Sequence, residues 1–140
     1  MTYLLDTATL SELRKKDRAD SGVFEWQKQQ TGNACISVVT MNEICFGILS
    51  VEKKDAVFAE HLKIWYREIL AARDLFTILP IELSVAEKAA SFRYEHKMSY
   101  NDALIAATAA CHKLTLATRN VSDFEKTSIA TINPWEYSES

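Results

Sequence analysis

Four carboxylates stand beside the ends of strand-like and helix-like runs. Asp6 follows the apolar run Tyr3-Leu4-Leu5, and Glu43 lies in the first turn after Ser37-Val38-Val39-Thr40. Asp102 opens a helix made largely of Ala and Thr, and Asp123 follows the strand-like Leu114-Thr115-Leu116-Ala117-Thr118. In an alternating α/β chain, strand carboxyl ends and the loops after them line one edge of the sheet, where ligands bind. Four acids gathered there repel one another unless a positive group sits between them. A hard divalent cation with oxygen ligands is the natural occupant.

Each acid also has a local role open to it. Asp6 can cap the helix that follows it. Thr40-Met41-Asn42-Glu43 fits a capping box, in which the Glu reaches back to the cap. Asp102 suits the first turn of a helix, where the dipole favours a negative charge, and Asp123 suits an Asx-type turn. The roles are compatible, because a carboxylate held at a helix N-terminus is already oriented for a metal. Two contexts favour chemistry. Asp6 ends an apolar strand with no polar lead-in, so its charge needs a partner. The small residues after Asp102 let that helix pack closely against a sheet.

The elements that must position these acids follow from periodicity. A strand is expected over 2–5, then a helix with Leu10, Leu13 and Ala8 facing inward. Asp20-Ser21-Gly22 reads as a break before a helix over 23–30, with Val23, Trp26 and Gln27 on one side. A continuous apolar strand over 34–39 leads into a helix over 40–51, striped by Ile44, Ile48 and Val51. A long helix over 54–75 carries Val57, Phe58, Leu62, Trp65 and Ile69 at three- and four-residue spacing. A strand over 76–79, helices over 84–96 and 102–112, and strands over 114–118 and 129–132 complete the chain. This alternation predicts an α/β fold, a mostly parallel central sheet between two helical layers.

Composition agrees with one compact domain spanning residues 1–140, in which 48% of residues are hydrophobic and 25% charged. Gly and Pro number only 3 and 2, so long linkers are not expected. The net charge of −3 offers no general attraction for nucleic acid; the only dense basic stretch, Arg14-Lys15-Lys16-Asp17-Arg18, reads as a solvated helix end. Cys35, Cys45 and Cys111 lie in apolar stretches without CxxC spacing, as buried free thiols of a reducing compartment would. His61, His96 and His112 are too scattered for a zinc site. The N-terminus lacks a charged leader, and no run approaches the roughly 18 apolar residues of a membrane span, so the cytoplasm is expected.

The motifs together resemble PIN-domain proteins, and among them the VapC-type ribonuclease toxins of bacterial toxin–antitoxin pairs. Tyr3-Leu4-Leu5-Asp6-Thr7 is similar to the family's opening strand and first acid, and Ser11-Glu12-Leu13-Arg14 to its continuation. Thr40-Met41-Asn42-Glu43 with Gly47-Ile48 resembles the second-acid helix. Asp102-Ala103-Leu104-Ile105-Ala106-Ala107-Thr108-Ala109 resembles the third-acid helix and is the most specific piece. Leu116-Ala117-Thr118-Arg119-Asn120-Val121-Ser122-Asp123-Phe124, followed by Asn133-Pro134-Trp135, resembles the C-terminal signature. Two positions depart from the pattern. The family's Asn two residues after the first acid is Ala8 here, and the usual slot of the fourth acid is Asn120, with Asp123 three residues later.

The resemblance implies a three-layer α/β/α fold and a Mg²⁺-dependent endoribonuclease, Mn²⁺ being an alternative ion. Asp6, Glu43 and Asp102 would be the core metal ligands and Asp123 the fourth. It further implies an RNA substrate, a homodimer, and a VapB-like antitoxin whose C-terminal segment lies across the pocket. Phe46, Trp65 and the apolar face of the 40–51 helix are candidates for the surface it meets. A haloacid-dehalogenase-like phosphatase would need a second Asp at position 8, and a receiver domain an early acidic pair with a central acceptor Asp. Neither pattern is present. The remaining alternative is a PIN-fold binding module with weakened catalysis, which Ala8 favours.

Overall fold

The computed structural model describes residues 2–138. Among them five parallel strands form one sheet: Tyr3–Leu5 (β1), Ala34–Ser37 (β2), Phe76–Leu79 (β3), Thr115–Ala117 (β4) and Thr131–Ile132 (β5). Their spatial order is β3-β2-β1-β4-β5. The registers Leu5↔Ala117, Leu4↔Cys35 and Ser37↔Leu79 bring the strand carboxyl ends to a common edge. Parallel neighbours need crossovers, and six α-helices supply them: Thr7–Leu13 (α1), Ser21–Lys28 (α2), Val38–Glu52 (α3), Ala56–Ala71 (α4), Leu83–His96 (α5) and Tyr100–His112 (α6). Short 3₁₀ turns cover Lys16–Arg18, Val121–Thr127 and Pro134–Glu136.

Alternation along the strands divides the core into two. Leu4, Cys35 and Leu116 point to one face and pack with Val85, Ala89 and Phe92 of α5 and the alanines of α6. Leu5, Ile36 and Ala117 point to the other, against Leu10, Trp26, Ile44, Ile48 and Ile69 of α1 to α4. The three-layer α/β/α arrangement expected from the sequence is therefore present. No described helix is long and apolar enough to cross a membrane.

Several local expectations are corrected. The second strand stops at Ser37, not Val39, because the Ser37 hydroxyl accepts a hydrogen bond from Val39 N (3.0 Å) and caps α3. Val38 and Val39 are β-branched, and their preference for strands is overridden by this cap. Thr40 is thus inside α3, and the Thr40–Glu43 capping box does not form. Asp20-Ser21-Gly22 is a helix start, since Asp20 Oδ1 accepts from Gly22 N (2.9 Å) and Val23 N (3.3 Å). The long helix is shorter than 54–75: Asp55 caps it at Phe58 N (3.0 Å), and Ala72 leaves helical geometry at ψ 61°. Ala8 and Gln27 are exposed rather than inward. Of the three cysteines, only Cys35 is buried; Cys45 is half-buried and Cys111 exposed. Cys111 falls on the outer side of α6, which local apolar composition does not reveal.

The C-terminal segment is tied to the body at Gly22. A Cβ at that position would stand 2.7 Å from the Trp135 carbonyl oxygen, so only glycine admits the approach. Asn133 Oδ1 accepts from Trp135 N (3.0 Å), and Asn133 Nδ2 donates to the Arg119 carbonyl (3.4 Å).

Candidate active site

Every proposed acid lies at the carboxyl edge of the sheet. Asp6 follows β1 directly, where the strand order reverses: β2 lies on one side and β4 on the other. Glu43 lies in the second turn of α3, which leaves β2. The chain enters α6 at the same edge before running back to begin β4, which puts Asp102 in the first helical turn there. Asp123 lies in the 3₁₀ turn after β4. Such a reversal of strand order is where open α/β sheets form their binding crevice.

Backbone and hydroxyl groups hold the Asp6 and Glu43 carboxylates and set the turns that carry Asp102 and Asp123. Asp6 Oδ1 accepts from Thr9 N (2.8 Å), the helix cap read from the sequence. Asp6 N and Thr9 Oγ1 both donate to the Ala117 carbonyl, at 3.3 and 2.9 Å, which fastens the start of α1 to the end of β4. Thr7 Oγ1 donates to Glu43 Oε1 at 2.6 Å, and Thr40 Oγ1 lies 3.5 Å from the same hydroxyl. Ser99 caps α6 by accepting from Asp102 N (3.3 Å). Thr118 Oγ1 accepts from Asn120 N (3.1 Å), setting the turn that leads to Asp123.

The electrostatic effect of the gathered acids falls on Asp102. The Asp102 carboxyl is held above its usual range. Burial is the main cause, a hydrogen bond with Ser99 opposes it, and the charges of Asp123, Glu43 and Asp6 add to the rise. Among the described residues, no three Asp, Glu, His or Cys side chains converge closely enough to share an ion. The carboxylates are gathered within Coulomb range but not drawn to ligand spacing, as expected of like charges. Their oxygen donors suit a hard divalent ion, whose charge would relieve the repulsion that raises Asp102.

The PIN domain profile matches residues 3–129. The chain belongs to the PIN-domain family. Among curated relatives, it is 33% identical to "VapC ribonuclease Y4jK" of Sinorhizobium fredii, over 95% of this chain and 97% of that protein. It is 31% identical to "Toxin FitB" of Neisseria gonorrhoeae, over 94% and 97% of the respective lengths. Solved structures agree. FitAcB from Neisseria gonorrhoeae aligns with a TM-score of 0.74 at 31% identity, covering 96% of this chain and 99% of that one. A toxin–antitoxin complex from Klebsiella pneumoniae aligns at 0.71 with 28% identity, covering 94% and 97%.

Within this PIN fold, residues outside the acidic set prove to support the edge. Thr7, Thr9 and Ser99 were not legible as site residues, because a hydroxyl next to an acid reads equally as a cap or a solvated side chain. Thr7 acts across 36 positions of sequence, and no local pattern announces such a partner. Arg119 follows β4 and turns toward Trp135 and Glu12. Its guanidinium stacks over Trp135 at 5.3 Å and helps hold the Glu12 carboxyl below its usual range. The larger cause at Glu12 is the hydrogen bond from Asp20 N, at 2.8 Å.

A second concavity lies on the face of the sheet covered by α1, α2 and α4. It encloses about 600 Å³ and is lined by Tyr3, Leu10, Trp26, Trp65, Ile69 and Phe76, among others, with Arg14 and Lys16 also contributing. The buried Trp26 Nε1 donor in its wall has no hydrogen-bond partner among the described residues. Of the two aromatics considered for partner contact, Trp65 lines this cavity, while Phe46 stands 71% exposed on α3. Ile44 and Ile48, the apolar stripe of α3, belong to the core and are unavailable to a partner.

Proposed function

We propose that this chain is a metal-dependent endoribonuclease, the toxin of a type II toxin–antitoxin pair, which hydrolyses RNA phosphodiester bonds in the cytoplasm. The observation that carries the reading is that Asp6, Glu43, Asp102 and Asp123 all lie at one edge of the sheet, where the other three add to the rise that burial gives Asp102. The naming of curated relatives as VapC ribonucleases supports the RNA substrate. Asp6, Glu43 and Asp102 would hold Mg²⁺ or Mn²⁺, with Asp123 binding directly or through water. When bound, the ion lowers the pKa of a water and stabilises charge on the phosphate oxygens. The chain supplies the rest: a half-buried Asp102, the Thr7 hydroxyl that orients Glu43 and the Thr9 N–H that orients Asp6. Residues 1–140 act together as one domain in this reading.

The test is cleavage of RNA by the purified chain with Mg²⁺, Mn²⁺ or Zn²⁺ and after EDTA. Oxygen-only ligands favour the harder ions, so activity should follow Mg²⁺ and Mn²⁺ and disappear on chelation. Full activity after exhaustive EDTA treatment would remove the metal from the mechanism. Sequencing RNA ends after brief expression of the toxin alone identifies the bond cut. The second reading, a binding module with weakened catalysis, rests on Ala8, and cleavage of RNA at ordinary Mn²⁺ concentrations excludes it.

A VapB-like antitoxin is the partner of this reading, as the solved relatives described as toxin–antitoxin complexes suggest. The apolar cavity under α1, α2 and α4 suits an amphipathic segment of that partner. Its aromatic walls offer area, and Arg14 and Lys16 favour an acidic flank. A homodimer completes the assembly and is read from the mass of the purified toxin.

A further inference from the structure

We propose that Thr7 is a positioning residue for the metal site, holding Glu43 through a hydroxyl contact that Thr40 supports. This rests on the metal-dependent reading above. Glu43 comes from a helix on the far side of β1 from Asp102, and its carboxylate makes no cap of its own. Its freedom is removed by the 2.6 Å hydrogen bond from Thr7 Oγ1. A hydroxyl carries one proton, and Thr7 gives it to Glu43. The Thr40 hydroxyl, fully buried in α3 and 3.5 Å away, is placed to face the lone pairs left on Thr7 Oγ1. The bond therefore ties the acid of α3 to the residue next to Asp6, joining the two elements that carry the first and second acids.

The contact also gives a physical account of Ala8. An exposed alanine in the first turn of α1 contributes no hydrogen bond to the edge. One residue earlier, Thr7 makes such a bond.

The experiment measures Mn²⁺ binding by calorimetry in the wild type, Thr7→Val, Thr7→Ser and Thr40→Val, with thermal unfolding of each metal-free protein. Thr7→Val keeps the shape and removes the donor. It should weaken Mn²⁺ binding by roughly 10–100-fold, the usual cost of losing a hydrogen bond that orients a ligand. Thr7→Ser should restore affinity to within a few-fold of wild type, and Thr40→Val should lose less than Thr7→Val. A role in folding alone would lower the unfolding temperature without moving Mn²⁺ affinity. Equal Mn²⁺ affinity in folded Thr7→Val and wild type overturns the proposal. Should Thr7→Val not fold, Thr7→Ala removes the same donor without adding atoms and carries the same comparison. Failure of the wild type to bind any Mn²⁺ would instead defeat the metal-dependent reading itself.

Discussion

The acidic edge and the apolar cavity are built on opposite physical terms. At the edge, Asp102 is half-buried and pushed toward protonation, first by that burial and then by its acidic neighbours. The Thr7 hydroxyl and the Thr9 N–H, both from α1, hold Glu43 and Asp6, and the Ser99 cap fixes the start of α6 that carries Asp102. In the cavity, Leu, Ile and aromatic side chains meet at the sheet face beside Trp26, whose indole N–H has no partner among the described residues. In the proposed function a cation would relieve the like charges of the edge, and a partner would cover the apolar surface of the cavity.

The sharpest way to separate the two is to remove charge at the edge. Asp6→Asn and Asp102→Asn should each lower RNA cleavage by more than about 100-fold, beyond what loss of a supporting hydrogen bond alone costs, with the fold retained. Cleavage rates and circular dichroism check this, and wild-type rates in both variants would end the assignment of the edge.

Changes in the cavity should leave that chemistry alone. Trp65→Ala should weaken binding of the cognate antitoxin by roughly 30-fold or more, as truncation of a buried aromatic anchor does. Cleavage by the free toxin should stay near wild type. Calorimetry with the purified antitoxin decides it; unchanged affinity would move the partner to another face, with Phe46 the next residue to truncate.

Stability against pH gives a smaller effect of opposite sense. A carboxyl whose folded pKa is raised binds its proton more tightly when folded, so it disfavours the folded state at pH above that pKa and ceases to do so as pH falls through it. Metal-free Asp102→Asn should accordingly unfold at a higher temperature than wild type at neutral pH. The gap should close on acidification from the raised pKa toward the ordinary aspartate range. A variant less stable than wild type at pH 7 would mean that its hydrogen bonds outweigh the repulsion.

The smallest effect belongs to Ala8→Asn. The position is exposed and beside Asp6, so an amide there should tighten Mn²⁺ binding by a few-fold at most, because Thr7 already holds Glu43. It should also cost about 0.5 kcal/mol in helix propensity. Calorimetry and thermal unfolding read both, and binding equal to or weaker than wild type would show that the lost Asn is fully compensated.

Much of this molecule was legible before any coordinates. Alternating strand and helix periodicities dictated a parallel sheet covered on both faces, because each apolar run must be buried and parallel strands need crossovers. The Asp6 cap was legible because N-capping is local, set within three residues. Errors came where a local preference lost to a neighbour: Val38 and Val39 left the strand once Ser37 capped the helix, and Glu43 was released from a capping box that its own segment suggested. The gathering of Asp6, Glu43, Asp102 and Asp123 and their mutual repulsion were reachable from the sequence, but the burial that chiefly raises Asp102 was not, since it depends on what packs around α6. The same holds for Thr7 and for Trp26. A hydroxyl reaching Glu43 and an indole with no acceptor are facts about what lies across a cleft, and only the packing of distant segments decides what that is.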